Sequence, residues 1–355
     1  MAGPTPISSA DRPTGRVGEP TSRRIPPTSD GPGRLHLAAM ADGKLREWDG
    51  DAAVAALPDL CRQPETPTWV DLVSPSAGQV ESIGQTLGLH PLIVEDILEG
   101  NQRAKIESTD GVVHLVLFAL TQGEKYRATE IDVVLGQGYL LTVHDAAWDA
   151  RSTNHVQGDG LGPILAKGAD HLLWALADAI VDGYFPFADA LGDAIDEVQD
   201  RILRETTPAS LERLFALKRE LLEVRRATGP TREVFNQLTN RDLDLIDESE
   251  LVYFRDVYDH VIRLTDEMDN YRELASSTLD VYLTQVNNNL SVIMKRLTGV
   301  TVILAGIGAV AGIFGMSEAG NALSGGEANG FWLVTAIVVA IAVGAAVVLR
   351  RIDWI

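Results

Sequence analysis

Apolar residues recur along this chain in three patterns, and each marks a different kind of element. Between residues 34 and 144, short runs rich in Val, Leu and Ile have the length and composition of buried strands: RLHLAAM, WVDLV, GVVHLVLFAL, IDVVL and YLLTVHD. The last two are separated only by GQG, which predicts a tight hairpin. Between the strands, SAGQVESIGQTLG has helical spacing after a Ser cap, and HPLIVEDILEG predicts a second short helix opening at Pro91. Residues 34–170 therefore read as a mixed α/β domain.

The period then lengthens. Residues 171–203 and 208–240 are predicted as two helices within an acidic helical hairpin over 171–250, the second opening at Thr207-Pro208. The first groups Asp189, Asp193, Asp196, Glu197 and Asp200 at spacings of three and four. That spacing fits a solvated face, or a diffuse cation-attracting skirt. From Leu251 to Leu297 apolar residues such as Phe254, Val261, Met268, Leu283 and Leu290 step mostly by three, four or seven, with no proline after Pro230. This predicts a stalk helix over 251–296. Continued to residue 316 it would be about 100 Å long, at 1.5 Å per residue.

The third pattern has no polar face. Residues 297–316, LTGVTVILAGIGAVAGIFGM, and 331–349, FWLVTAIVVAIAVGAAVVL, carry no charge, and each has about the 20 residues that cross a hydrocarbon core. Lys295 and Arg296 precede the first span, Arg350 and Arg351 follow the second, and the loop between them has Glu318 and Glu327 and no base. The positive-inside rule places both termini in the cytoplasm. Transmembrane helix 1 is expected over 297–317, an external loop over 318–330, transmembrane helix 2 over 331–349 and a basic tail over 350–355. Trp332 and Trp354 suit interfacial belts. Span 1 is dense in small residues, which let membrane helices approach closely. A single hairpin cannot enclose a pore, so it either oligomerises or serves only as an anchor.

Charge and composition narrow the partners. The chain has 355 residues and a formal net charge of -20. Such a balance argues against nucleic acid, whose phosphates require a basic surface, and suits cations. One cysteine, Cys61, excludes an intrachain disulfide and a cysteine metal cluster. Residues 1–33, rich in Pro, Gly, Ser and Arg, are expected to be disordered and lack the apolar core of a secretory signal. No phosphate-binding glycine motif, nucleophile elbow or zinc-ligand spacing is present, and nothing points to an enzyme. Asp256 and His260 stand one helical turn apart on the stalk, a spacing that serves a cation site or a surface hydrogen bond.

Several motifs in order resemble the CorA family of magnesium channels: WVDLVSPS, GLHPLIVEDILEGNQRAK, EIDVVLGQGYLLTVHD, LKRELLEVRR, YFRDVYDHVIRLTDEMDNYRELASSTLDVYL, MKRLT and AGIFGM. The resemblance runs from about residue 34 to the end. It implies an α+β membrane protein. An α/β cytoplasmic funnel domain would lead into a long stalk helix, which continues into the first of two C-terminal transmembrane helices. It further implies a homopentamer in membrane lipid, in the cytoplasmic (inner) membrane, with Mg²⁺ as both transported and regulatory ion and no organic cofactor. The pore would be lined by span 1, through Ser291, Met294, Leu297 or Thr298, Thr301, Ala305 and Gly308. Its outer mouth would be Gly315, Met316 and Ser317, with Glu318 and Glu327 concentrating cations outside. The family ends this helix in Gly-Met-Asn; here Ser317 replaces the Asn amide with a shorter hydroxyl, and Ser291 falls where many relatives carry Asn. The family's regulatory ion implies Asp96 and Asp256 as ligands, with Glu95 and His260 beside them. In the basic segment QRAK, Ala104 stands where relatives often have Pro.

Three functions fit these residues. One is uptake of Mg²⁺, with Co²⁺ as second substrate. Another is transport of Zn²⁺ or another transition metal, although Met294 is the lone soft ligand along the pore. The third is a non-conducting membrane scaffold or sensor.

Overall fold

The structure is a computed structural model that describes residues 33–100, 103–121, 127–240, 243–315 and 329–351. The tail up to residue 32, together with Met316, Ser317, Glu318, Glu327 and Trp354, lies outside the described residues. The chain divides into two compact units: Met1–Ala188 with Glu223–Asp266, and Asp189–Leu222 with Glu267–Ile355.

The first unit is built on a seven-stranded sheet, β1 (Arg34–Ala41), β2 (Lys44–Asp49), β3 (Thr68–Val73), β4 (Lys105–Thr109), β5 (Val112–Thr121), β6 (Arg127–Gly136) and β7 (Tyr139–His144). Their order is β2-β1-β3-β7-β6-β5-β4. Every pairing is antiparallel except β3 with β7. The expected hairpin is present: Gly136 pairs Tyr139 across a two-residue turn, and Gly138 takes φ +80°, a conformation that favours glycine.

Strand alternation assigns the two faces of the sheet. Leu35 and Leu37, Val70 and Leu72, and Leu141 and Val143 point to one face, covered by α1 (Gly50–Leu60), α2 (Ala77–Leu87) and α3 (Pro91–Glu99). Ser76 caps α2 in a capping box with Gln79, and Gly88 ends it at φ +67°. Pro91 opens α3, with the His90 side chain accepting from the Leu92 N–H at 3.2 Å. The opposite face is covered by α5 (Ala169–Asp182), which follows the short α4 (Leu161–Leu165). Polar groups buried on that side are joined in series: Trp69 Nε1 donates to Thr142 Oγ1 at 3.0 Å, which donates to Asp71 Oδ1 at 2.6 Å.

The helix expected over 171–203 is two helices, α5 and α6 (Phe185–Arg204), broken at Gly183-Tyr184. Tyr184 is fully buried, and its hydroxyl donates to the Phe118 carbonyl of β5. Satisfying that buried phenol fixes the chain at the break. Helix α7 (Pro208–Asn240) opens as the sequence predicts, with the Ser210 N–H donating to Thr207 Oγ1 at 3.3 Å, and it runs through Pro230.

In the second unit Leu191, Ile195 and Ile202 of α6, Leu214 and Leu217 of α7, and Met268, Ala275 and Tyr282 of α8 (Leu251–Gly315) form the buried side. Thr278 donates to Gln199 at 3.1 Å within it. Asp189, Asp193, Asp196, Glu197 and Asp200 are all exposed, as a solvated face requires. Helix α8 is unbroken for 65 residues. The run expected as the second span forms α9 (Asn329–Arg351), 23 residues with no charge before Arg350.

Candidate functional site: a bare apolar helix and two carboxylate clusters

Two features stand out once the fold is laid down. The first is what happens to α8 after Tyr282. Its side chains lose their partners: Leu290 is 55% exposed, Met294 53%, Leu297 59% and Leu304 63%. Within its most apolar stretch only 6% of the residues are buried. Among the described residues it is the one helix long and apolar enough to cross a membrane. Left in water such a surface would be strongly unfavourable, so its natural surroundings are lipid or other protein. A Cβ added at Gly306, Gly308 or Gly312 would meet nothing within 4 Å.

Ser291, Met294, Leu297, Thr298, Thr301, Ala305 and Gly308 fall on one side of α8 by their spacing, and all are exposed. None is ionisable. Thr301 Oγ1 donates to the Leu297 carbonyl at 2.8 Å, which leaves its lone pairs free to accept from water. Gly315 is the last residue of α8.

The second feature is a pair of carboxylate clusters in the first unit. On α5, Asp178 and Asp182 lie one turn apart and face His260 of α8, with ligand atoms within 4.8 Å of one another. His260 Nδ1 is 3.5 Å from Asp182 Oδ1 and 3.9 Å from Asp178 Oδ1. That nitrogen is buried and has no hydrogen-bond partner. His155 Nε2 holds the other oxygen of Asp178 at 2.8 Å. Burial first, and repulsion from Asp178 second, push the Asp182 carboxyl above its usual range; His260, His155 and Arg263 partly offset this. Two close carboxylates and an orphaned imidazole nitrogen fit a divalent cation that keeps part of its water. Asp256 Oδ2 stands 4.0 Å from His260 Nε2, with its side chain 70% exposed. The i,i+4 pair is therefore loose, and Asp256 offers its carboxylate outward.

Asp96 belongs to the other cluster. It projects from α3 toward the edge of the sheet, where strand alternation puts Lys105 and Glu107 of β4 and His114 of β5 on the same face. Ligand atoms of Asp96, Glu107 and His114 lie within 4.8 Å of one another. Lys105 Nζ donates to Asp96 Oδ2 at 2.5 Å and to Glu107 Oε2 at 3.3 Å. Burial works against its charge, but the two carboxylates outweigh it and hold the ammonium's pKa above its ordinary value. His114 is fully buried and bonded to Asp132 at 2.9 Å. Glu95 is exposed on α3.

Of the residues singled out in the sequence, the structure brings His260 and Asp256 together. It places Asp96 with partners that sequence reasoning had passed over. Lys105 lay in the segment QRAK, where only Ala104 had drawn notice. Asp178 and Asp182 were missed, although two acids four apart among Ala, Leu and Val were a signal.

A sheet domain bearing two carboxylate clusters, continued by a helix long and apolar enough to cross a membrane, has the features of a membrane protein that handles divalent cations. The comparisons with known proteins specify which. The family model for "CorA-like Mg2+ transporter protein" matches residues 64–351, and the chain belongs to that family. It is similar to the cobalt/magnesium transport protein CorA of Thermotoga maritima, with 33% identity over 279 residues covering 77% of this chain and 79% of that protein. It also resembles the putative metal ion transporter YfjQ of Bacillus subtilis, 28% identical over 251 residues, covering 70% and 78%. The complete structure of the CorA magnesium transporter from Methanocaldococcus jannaschii superposes with a TM-score of 0.71 at 21% identity, covering 90% of this chain and 98% of that one. Its fold is the one described above, including the long helix.

Proposed function

We propose that this chain is one protomer of a homopentameric channel that admits Mg²⁺, and Co²⁺ as a second substrate, across the cytoplasmic membrane. Both termini face the cytoplasm, and α8 and α9 are the two crossings. The observation that carries the reading is the bare stripe of α8. Five copies would turn Ser291, Thr301 and Gly308 toward a shared axis and cover the remaining apolar surface with α9 and lipid. An uncharged lining suits a doubly charged ion that sheds its waters reluctantly, because a fixed charge would bind it too tightly for exit. The membrane potential supplies about 2.3 kcal/mol per charge per 100 mV, twice that for a divalent ion. Gly315, Met316 and Ser317 form the outer mouth, a ring of five hydroxyls meeting the water shell, and Glu318 and Glu327 enrich cations before it.

Regulation follows from the acids. Asp96 and Asp256 of neighbouring protomers, with Glu95 and His260 beside them, hold internal Mg²⁺ and keep the assembly closed. When Mg²⁺ falls, carboxylates left without a cation repel, and the apolar ring at Met294 and Leu297 opens. Asp178 and Asp182 add two further oxygens to the His260 position. Chemistry here is passage and binding, with no covalent step.

Uptake in a magnesium-auxotrophic host, comparing Mg²⁺, Co²⁺, Ni²⁺ and Zn²⁺, tests the reading. Growth should be restored by Mg²⁺ and lost with Ser317→Trp. Uptake of Zn²⁺ without Mg²⁺ would reassign the substrate, and no uptake of any ion would leave a scaffold.

A further inference from the structure

The ion pair between Lys105 and Asp96 bears on how much Mg²⁺ is needed. Strand β4 is the edge of the sheet, and its first residue, Lys105, is nine positions after Asp96 of α3. The Lys105 ammonium lies 2.5 Å from Asp96, with the two side chains 18% and 25% exposed. Glu107 lies on its other side at 3.3 Å. The ammonium therefore sits among oxygens that would otherwise be open to a metal ion. Lys105 takes the Oδ2 oxygen of Asp96, so a divalent ion meets that oxygen only as the lysine leaves, and the ammonium charge beside it disfavours a cation at Oδ1.

We propose that Lys105 is a built-in competitor of the regulatory ion: it holds Asp96 Oδ2, and Mg²⁺ gains both oxygens of that carboxylate only as the lysine is displaced. This rests on Asp96 being a regulatory ligand. A ligand whose site is open for only a fraction of the time binds with an apparent affinity reduced by that fraction. A pair that keeps only a minor part of its surface in water is strong enough to be mostly formed, yet open enough to yield to a divalent ion. The lysine would thereby raise the internal Mg²⁺ at which the channel shuts, so that it closes only when the cell is replete.

The test uses the full-length protein in nanodiscs and the Mg²⁺ concentration giving half of the maximal Mg²⁺-dependent thermal stabilisation. Lys105→Met should lower that concentration by about threefold to tenfold. Lys105→Arg, which keeps the charge, should stay near the parent. Arg103→Gln removes the same charge from an exposed position two residues away and should change the midpoint by less than about twofold. Asp96→Asn should raise the midpoint, and adding Lys105→Met to it should change nothing more. Should Lys105→Met leave the midpoint unchanged or raise it while Asp96→Asn raises it, Lys105 is a structural or orienting group and the proposal is overturned. If Asp96→Asn itself has no effect, the regulatory reading of Asp96 fails and this inference with it. Unfolding without Mg²⁺ shows whether each variant is folded; a Lys105→Arg midpoint falling as far as that of Lys105→Met would also sink the idea.

Discussion

His144 Nε2 stands 3.0 Å from Asp71 Oδ1 while its Nδ1 faces the Asp145 carbonyl at 2.8 Å, so both ring nitrogens meet acceptors. An imidazole in that position is best satisfied carrying both protons. Burial opposes the charge, but the bond and charge of Asp71 outweigh it, and the His144 pKa is raised above 6.5. With the folded value above the unfolded one, the stabilisation is complete below about pH 6.5 and is lost as pH rises through the folded value. Asp71→Asn should cost about 3 kcal/mol near pH 6, and less at alkaline pH. Unfolding midpoints of the two proteins from pH 5.5 to 9 measure this, and curves that stay parallel across the range would contradict it.

Gly138 of the β6–β7 turn combines positive φ with a backbone wall. A Cβ there would lie 2.4 Å from the Pro64 carbonyl oxygen. Neither backbone can give way cheaply, so Gly138→Ala should destabilise the protein by about 2 kcal/mol or more. Gly43, with φ +71° but open space around it, should tolerate alanine better. Urea unfolding of both variants tests the contrast, which disappears if the two lose equal stability.

Met294 and Leu297 are the large apolar members of the proposed lining. A polar side chain there would keep the constriction wet. Met294→Asn should raise Mg²⁺ flux at high internal Mg²⁺ several-fold, while Val302→Asn, which faces α9 across an apolar cleft, should impair expression instead. Flux into proteoliposomes loaded with Mg²⁺ gives the answer; an unchanged closed-state leak in Met294→Asn speaks against a dewetting gate.

Asp182→Asn removes one oxygen from the cluster around His260, together with a carboxyl that burial first, and repulsion from Asp178 second, push above its usual range. The internal Mg²⁺ that halves transport should rise by about threefold to tenfold, with little change in uptake when internal Mg²⁺ is low. Transport measured against internal Mg²⁺ separates this from a folding defect, which would lower uptake at every concentration.

The elements legible in the sequence were those whose local chemistry agrees with their environment. Ser76, Pro91 and the Gly138 turn announce themselves, and so do strands buried on both faces. KLREWD and KIEST did not, because β2 and β4 are edge strands and charged residues interrupt their apolar pattern. Helix α1, with Pro58 inside it, lacks a clean local signal because a proline there ordinarily interrupts a helix. The break at Tyr184 depends on a carbonyl 66 residues away. The sites divide in the same way. Asp96 and Asp256 came with a resemblance, whereas Lys105, Glu107 and His114 meet through strand register and the placement of α3. His114 and Asp132 did leave a trace, as charged or titratable residues at strand positions where burial was expected.

Gly306, Gly308 and Gly312 leave empty space where a methyl group would go. Within one chain, alanine at these positions is free of cost and even favours the helix. Any penalty it exacts in the membrane must therefore come from outside the chain. Those three glycines thus act as proximity gauges: the size of the defect reports how near the adjoining helix comes at Gly306 and Gly312, and how little room the axis leaves at Gly308, without any structure of the assembly.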